Sequence, residues 1–337
     1  MSPLLWLWPL SSGATDAASR IVIKKTDIHG FVLNGMSLLL SFPVYFVWLY
    51  FVGFPEIGPQ FWSAVFWHVP MFVLILILLV ESHRAGSMLK TMPLASLTPA
   101  FLIVTGPLMG GGNPTFLGAI GILVVVCGLY VLNIEKEQKG WLTPFKLIVT
   151  ERASLFMFGV TFIAALSSNL DKIAIVNSSP VFYLMIDHGA VALTLLALIP
   201  ISLFLSPSGR MTYRNSQNRI VNIGANDFKN QIFSLSSLKI FLGYGAFNML
   251  TGIFHSVGLN ALPHVPYFMA GKRSGAIIFA VLFGLIMWRL EIFKEVNPSQ
   301  RRFGTEGNNL KWKLSGTLLA VVGMVIIILF GNVEGGV

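Results

Sequence analysis

Cysteine occurs once in 337 residues, at Cys127 inside an apolar run. That excludes a disulfide framework within the chain and any cysteine-ligated metal cluster, and it marks Cys127 as a small core residue. Charge is nearly as scarce. Charged residues make up 11% of the sequence, against about a quarter in ordinary soluble chains. Hydrophobic residues reach 55% and mean hydropathy is +0.75. This balance excludes a water-soluble globule and predicts an integral membrane protein. Motifs that carry chemistry are missing as well. There is no GxxxxGK[ST] phosphate loop, no HExxH, no paired-cysteine metal set and no GxSxG elbow. Direct driving by ATP is therefore not expected, nor an enzyme, nor any cofactor. The first basic residue is Arg20, so Met1 to Leu10 does not fit the pattern of a secretory signal.

What the chain has instead is long apolar runs. Ten of them have the length required to cross roughly 30 Å of hydrocarbon: 3–23, 28–52, 62–81, 91–109, 114–133, 153–176, 180–205, 236–259, 265–289 and 313–331. The expected fold is an all-α membrane bundle of ten transmembrane helices. Twenty of the 23 Lys and Arg fall in alternate connections and their helix ends, the exceptions being Lys172, Lys272 and Arg273. The net charge of +9 is thus a matter of sidedness. It lacks the interleaved basic and aromatic face of a nucleic-acid binder, and no nucleic-acid partner is expected. By the positive-inside rule the basic connections are cytoplasmic and both termini lie outside. Ser206 to Leu235 and Phe293 to Leu310, the two longest polar stretches, read as cytoplasmic loops.

The two halves resemble each other. LGAIGILVVVCGLYVL (117–132) and LSGTLLAVVGMVIIIL (314–329) share the spacing of Gly121 and Gly128 with Gly316 and Gly323. Arg20-Ile-Val-Ile near the end of the first segment matches Lys172-Ile-Ala-Ile in the sixth. Five spans per half is an odd number, so the repeats insert with opposite topology: 1–134 and 153–337, joined by a cytoplasmic connection over 135–152. Inverted repeats of this kind place a shared site near the bilayer midplane.

Four polar constellations lie at membrane depth. The ninth segment carries Lys272-Arg273-Ser274, followed by thirteen residues (276–288) whose only hydrogen-bonding side chain is the Trp288 ring. Cations at that depth cost on the order of 3 kcal/mol each by insertion scales. Successive helix positions point about 100° apart, so the two cannot face one spot. One suits an anionic substrate group, and the alternative is a structural ion pair. The sixth segment carries Asn169, Asp171 and Lys172, with snorkelling to the interface as the alternative for the last two. In the seventh, Asp187 and His188 are the candidates for coupling to protons, the alternative being a helix-packing hydrogen bond. In the eighth, Asn248, Thr251 and His255 form a stripe at i, i+3 and i+7 that lines a cavity or grips a neighbour. His68 and Asp16 read as lone packing or capping groups.

The most specific stretch, KRSGAIIFAVLFGLIMWRLE (272–291) followed by LSGTLLAVVGMVIII (314–328), resembles the drug/metabolite transporter superfamily in its ten-helix EamA-type branch. PLASLTPAFLIVTGPL (93–108) is similar to the first-half counterpart. The chain departs from the pattern at Gly110 to Asn113, where the family often has Gly-Glu. The resemblance implies cytoplasmic termini, opposite to the charge count. It also implies secondary transport of a small polar metabolite, with membrane lipids as surroundings and protons as a candidate second partner. Lys272 and Arg273 then recognise charge, and Asn248, His255, Asn169 and Lys172 supply polar groups. The other classes weighed are a flippase or interaction subunit for lipid or lipid-linked sugar, and an intramembrane enzyme.

Overall fold

A long apolar stretch satisfies its backbone polar groups internally only as a helix, and helices make up about 83% of the computed structural model. It describes residues 3–24, 26–85, 94–133, 142–214, 219–289 and 310–331. After a 3-10 turn over Pro3–Trp6 come α1 (Leu7–Lys24), α2 (Gly30–Val52), α3 (Phe61–Ala85), α4 (Thr98–Met109) and α5 (Phe116–Asn133). A short α6 (Thr143–Thr150) leads into α7 (Arg152–Val176) and α8 (Pro180–Leu205). Then follow β1 (Met211–Arg214), β2 (Ile220–Ile223), a short α9 (Ala225–Phe233), α10 (Leu235–Ala261), α11 (Val265–Arg289) and α12 (Leu310–Phe330). Each of the ten apolar runs is helical over most of its length. In the fourth, residues 91–93 fall outside the description and the long helix starts only at Thr98, with Pro99 in its first turn.

Among the described residues, five helices are long and apolar enough to cross a membrane: α2, α3, α7, α8 and α10. Their outward faces stay apolar. Phe66, Leu193, Phe204 and Leu242 are exposed, Phe204 at 88%. Such a contiguous apolar exterior marks a surface covered by something other than water.

The helices pack in pairs. α5 lies on α12, α2 on α8, α3 on α7, and α1 on both α10 and α11. Further contacts join α4 to α7 and α11, α2 to α10, and α3 to α8. The connections without Lys or Arg sit together at one end. Gly58 N donates to Asn177 O (2.8 Å) and Val265 N to Gly111 O (2.9 Å). Gly110 ends α4 in the left-handed conformation (φ 77°), which glycine adopts without a Cβ penalty.

One expectation fails: Cys127 is exposed, on the same outward face of α5 as Ile120 and Leu123, and is not a core residue. The polar stretch 206–235, read above as a loop, carries regular structure in its described residues. β1 and β2 pair antiparallel, Met211 opposite Ile223 and Arg214 opposite Ile220, and α9 follows at once. The segment is too short for a core of its own, so it borrows one. Tyr213, Ile223 and Phe228 bury against Val32 and Leu33 of α2 and Phe241 and Tyr244 of α10. His29 anchors it: its ring meets Phe31, Tyr213 and Phe228 edge-on, and its backbone N–H donates to Gln231 Oε1 (3.0 Å). The other polar stretch, 293–310, lies almost wholly outside the described residues.

Candidate functional site

Five helices bring ionisable side chains to one level of an otherwise apolar bundle. His68 is seven residues into α3, Asp187 seven into α8 and Lys272 seven into α11. Asp171 lies five residues before the end of α7 and His255 six before the end of α10. At about 1.5 Å per residue, all sit about 8–10 Å in from the end whose connections lack Lys and Arg. His68, Asp171 and Asp187 are buried to 3%, 6% and 5% exposure. At such burial charges persist only with partners.

The partners form a chain. Lys272 Nζ is 3.2 Å from His255 Nδ1, and His255 Nε2 is 3.2 Å from Asp171 Oδ2. Asp171 Oδ1 is 2.7 Å from His68 Nδ1, and His68 Nε2 is 3.2 Å from Asp187 Oδ1. An ammonium has only donors, so His255 accepts at Nδ1 and carries its own proton on Nε2, where it donates to Asp171. The Tyr183 hydroxyl also donates to Asp171 Oδ1. Two hydrogen-bond donors on one carboxyl, with His68 Nδ1 in close charge contact beside them, fit a carboxylate, which accepts only. Asp187 is held differently. Its Oδ1 has no aligned hydrogen-bond donor among the described residues, so the approach to His68 is a charge contact.

Neighbouring residues in sequence separate in space. His188 turns away from Asp187, placing Nδ1 3.1 Å from Ser41 Oγ and its ring edge-on to Tyr45. Lys272 turns to α10, whereas Arg273 Nη2 donates to Thr98 Oγ1 of α4 (3.4 Å). Lys172 points away from the chain. Its Nζ donates to Leu259 O (2.5 Å) and Leu262 O (3.0 Å), neutralising carbonyls at the C-terminus of α10. Asn169 donates to Thr105 Oγ1 (3.1 Å) and Ala165 O (3.2 Å). Its Oδ1 is pressed under Gly111, where a Cβ would come within 1.9 Å. These contacts clamp the α4–α5 turn to α7. The stripe on α10 divides too: Thr251 Oγ1 donates to Thr15 Oγ1 of α1 (2.8 Å), His255 reaches Asp171, and Asn248 is half-buried. The side chain of Arg20, the repeat mate of Lys172, lies outside the described residues.

His68 and Asp171 are the centre of this chain, and the sequence reading gave them least weight. A lone histidine in an apolar run looks like a packing group, and Asp171 lies near a segment end. The available signal was depth: five ionisable groups at matching distances from the same ends.

No family model matches the chain, and no curated protein matches it. By fold it is similar to a protein of known crystal structure, with a TM-score of 0.64 over 98% of each chain at 13% identity. That likeness extends to the fold alone.

Proposed function

We propose that this protein is a membrane permease that carries a small polar metabolite, anionic or zwitterionic, by alternating access. In this reading ten helices cross the cell membrane as two inverted five-helix repeats, as in the drug/metabolite transporters the sequence resembles. The observation that carries it is the buried chain Lys272–His255–Asp171–His68–Asp187. Ions inside an apolar bundle cost several kcal/mol each in desolvation, and function is the default reason for keeping them there.

The packing supports the duplication. Exchange α1 with α7, α2 with α8, α3 with α10, α4 with α11 and α5 with α12. The contact of α3 with α7 then becomes that of α10 with α1, and α4 on α7 becomes α11 on α1. The α5–α12, α2–α8 and α4–α11 contacts map onto themselves. A pseudo-two-fold relation of this kind puts the shared site between the halves, and the ionic chain takes His68 from one half and its other members from the second.

A thermal-shift screen of the purified protein against amino acids, organic anions, nucleotide sugars and lipid head groups tests the proposal, since a ligand of the folded state raises its melting temperature. A soluble metabolite is expected to stabilise the protein. Lys272→Ala should cut its uptake into proteoliposomes by about tenfold or more while leaving folded protein. Stabilisation by lipid head groups alone would favour the flippase.

A further inference from the structure

The His68–Asp187 contact has room for one proton, and the ionic chain ties that place to Lys272. His68 Nδ1 is occupied by Asp171 Oδ1 at 2.7 Å, Ser167 Oγ at 3.0 Å and Ser167 O at 3.4 Å. Nε2 and Asp187 Oδ1 then face each other at 3.2 Å. Two bare acceptors at that distance in a buried site repel, whereas one proton between them, on either atom, makes the contact favourable. Counted over Lys272, His255, Asp171, His68 and Asp187, that proton gives a neutral set. The Lys272 ammonium balances the Asp171 carboxylate, and the His68–Asp187 pair sums to zero. A negative group arriving at Lys272 upsets this balance by one charge. A second proton on the pair, leaving an imidazolium beside a carboxylic acid, restores it.

We propose that the His68–Asp187 pair is a proton-binding site linked through Asp171 and His255 to anion binding at Lys272, so that the substrate is a monoanion carried together with one proton. The transport half rests on the permease reading above; the proton site does not. Facing the pair are Asp171 from α7 and Tyr183 from α8 itself. Tyr45 of α2 and His188 of α8 meet edge-on on the side of Ser41. His255 of α10 and Lys272 of α11 lie beyond Asp171, and Arg273 is turned to α4. The carboxyls in this set are Asp171 and Asp187. Asp171 accepts from Tyr183 and His255 and lies against His68, whereas Asp187 Oδ1 has no donor among the described residues, so the second proton goes to Asp187. It comes from water on the face where the anion binds and leaves with the anion on the other, which closes the charge balance of one cycle. Linkage is reciprocal. Anion affinity rises as pH falls, by at most about tenfold per pH unit for one linked proton.

Infrared difference spectroscopy on the full-length protein in lipid nanodiscs reads the protonated-carboxyl stretch directly and needs no ligand. Acidification from about pH 9 to about pH 5 should raise one such band, and Asp187→Asn should lack it. At fixed pH, Lys272→Gln removes the positive charge as an arriving anion would. The ratio of protonated to ionised carboxyl should then grow by about threefold to tenfold. Should Asp187→Asn fail to fold, His68→Gln serves instead, since loss of the facing imidazolium also enlarges the band at fixed pH. A missing band, a band that persists in Asp187→Asn, or one unmoved in Lys272→Gln overturns the proposal. If the band behaves as expected while no organic anion stabilises the protein, the proton site stands and the permease reading falls. A transported anion whose flux ignores pH would have the opposite meaning: a permease without this coupling.

Discussion

Of the contacts that join the first five long helices to the last five, two are made of opposite materials. Along α5 and α12, Gly121 faces Gly323 and Gly128 faces Gly316 so closely that a Cβ on Gly128 would lie 2.5 Å from Ala320 N and 2.7 Å from Gly316 O. Ile122, Val125, Leu129, Met324 and Ile327 fill in around them. In lipid, where apolar surface gains nothing by leaving the solvent, such backbone contact is what small residues make possible. Along α3, with α7 and α8, His68, Asp171 and Asp187 meet amid apolar clusters that hold Ile75 with Met157 and Val73 with Val191. The glycine seam has one good arrangement, because separation loses dispersion contacts with nothing to replace them. The ionic seam admits several, because protons and tautomers redistribute its bonds. The difference lies in what each seam tolerates: the α5–α12 contact leaves no room for a side chain, whereas the buried ionic groups of α3, α7 and α8 depend on one another's protonation.

The largest effect should come from breaking the rigid seam. Gly128→Leu drives a side chain into backbone atoms that have no rotamer to yield. Overpacking costs about 1–3 kcal/mol where side chains can yield; here only backbone can, at both helices, and we expect a loss larger than that of any substitution in the ionic seam. We expect almost no folded protein by size-exclusion chromatography, and a normal melting curve would show that the seam can open. Next comes the responsive seam. Asp171→Leu strands His255, His68 and Tyr183 without their shared acceptor, at about 3–5 kcal/mol. Adding His68→Leu should restore part of that stability while transport stays abolished. A thermal-melt double-mutant cycle measures the coupling, and strict additivity would mean that the two residues do not form one unit. The smallest effect is Tyr183→Phe, which removes one hydrogen-bond donor to Asp171 while His255 and the charge contact with His68 remain, and should cost about 1 kcal/mol. Folded yield should be unchanged, with a small drop in melting temperature as the readout.

Much of the architecture could be read from the chain because all-round apolar runs leave the backbone one option. Pro43, Pro70, Pro107 and Pro200 all sit inside helices. They did not mislead the reading, since run length outweighed proline punctuation. The hairpin and α9 were hidden for a physical reason: their apolar residues are few and find partners only on α2 and α10. In the site, depth was legible and direction was not. Asp187 and His188 look like one pair in sequence, yet rotation about the helix sends them to different neighbours. The same rotation, anticipated for Lys272 and Arg273, is what divides them between α10 and α4. Partnership of His68 with Asp171, 2.7 Å apart, depends on how α3 crosses α7, and no local pattern encodes that. Lys172, as a cap on α10, was invisible for the same reason.

The anchoring of His29 also sets an order of construction. Its bond to Gln231 spans 202 residues, and the hydrogen bond that Tyr213 donates to Asp27 O spans 186. At synthesis rates of about 5–20 residues per second, the start of α2 waits roughly 10–40 s for the partners that cover it. Through that interval the aromatic end of α2 lacks the cover that Tyr213 and Phe228 give it, so the hairpin is a seal applied late in synthesis.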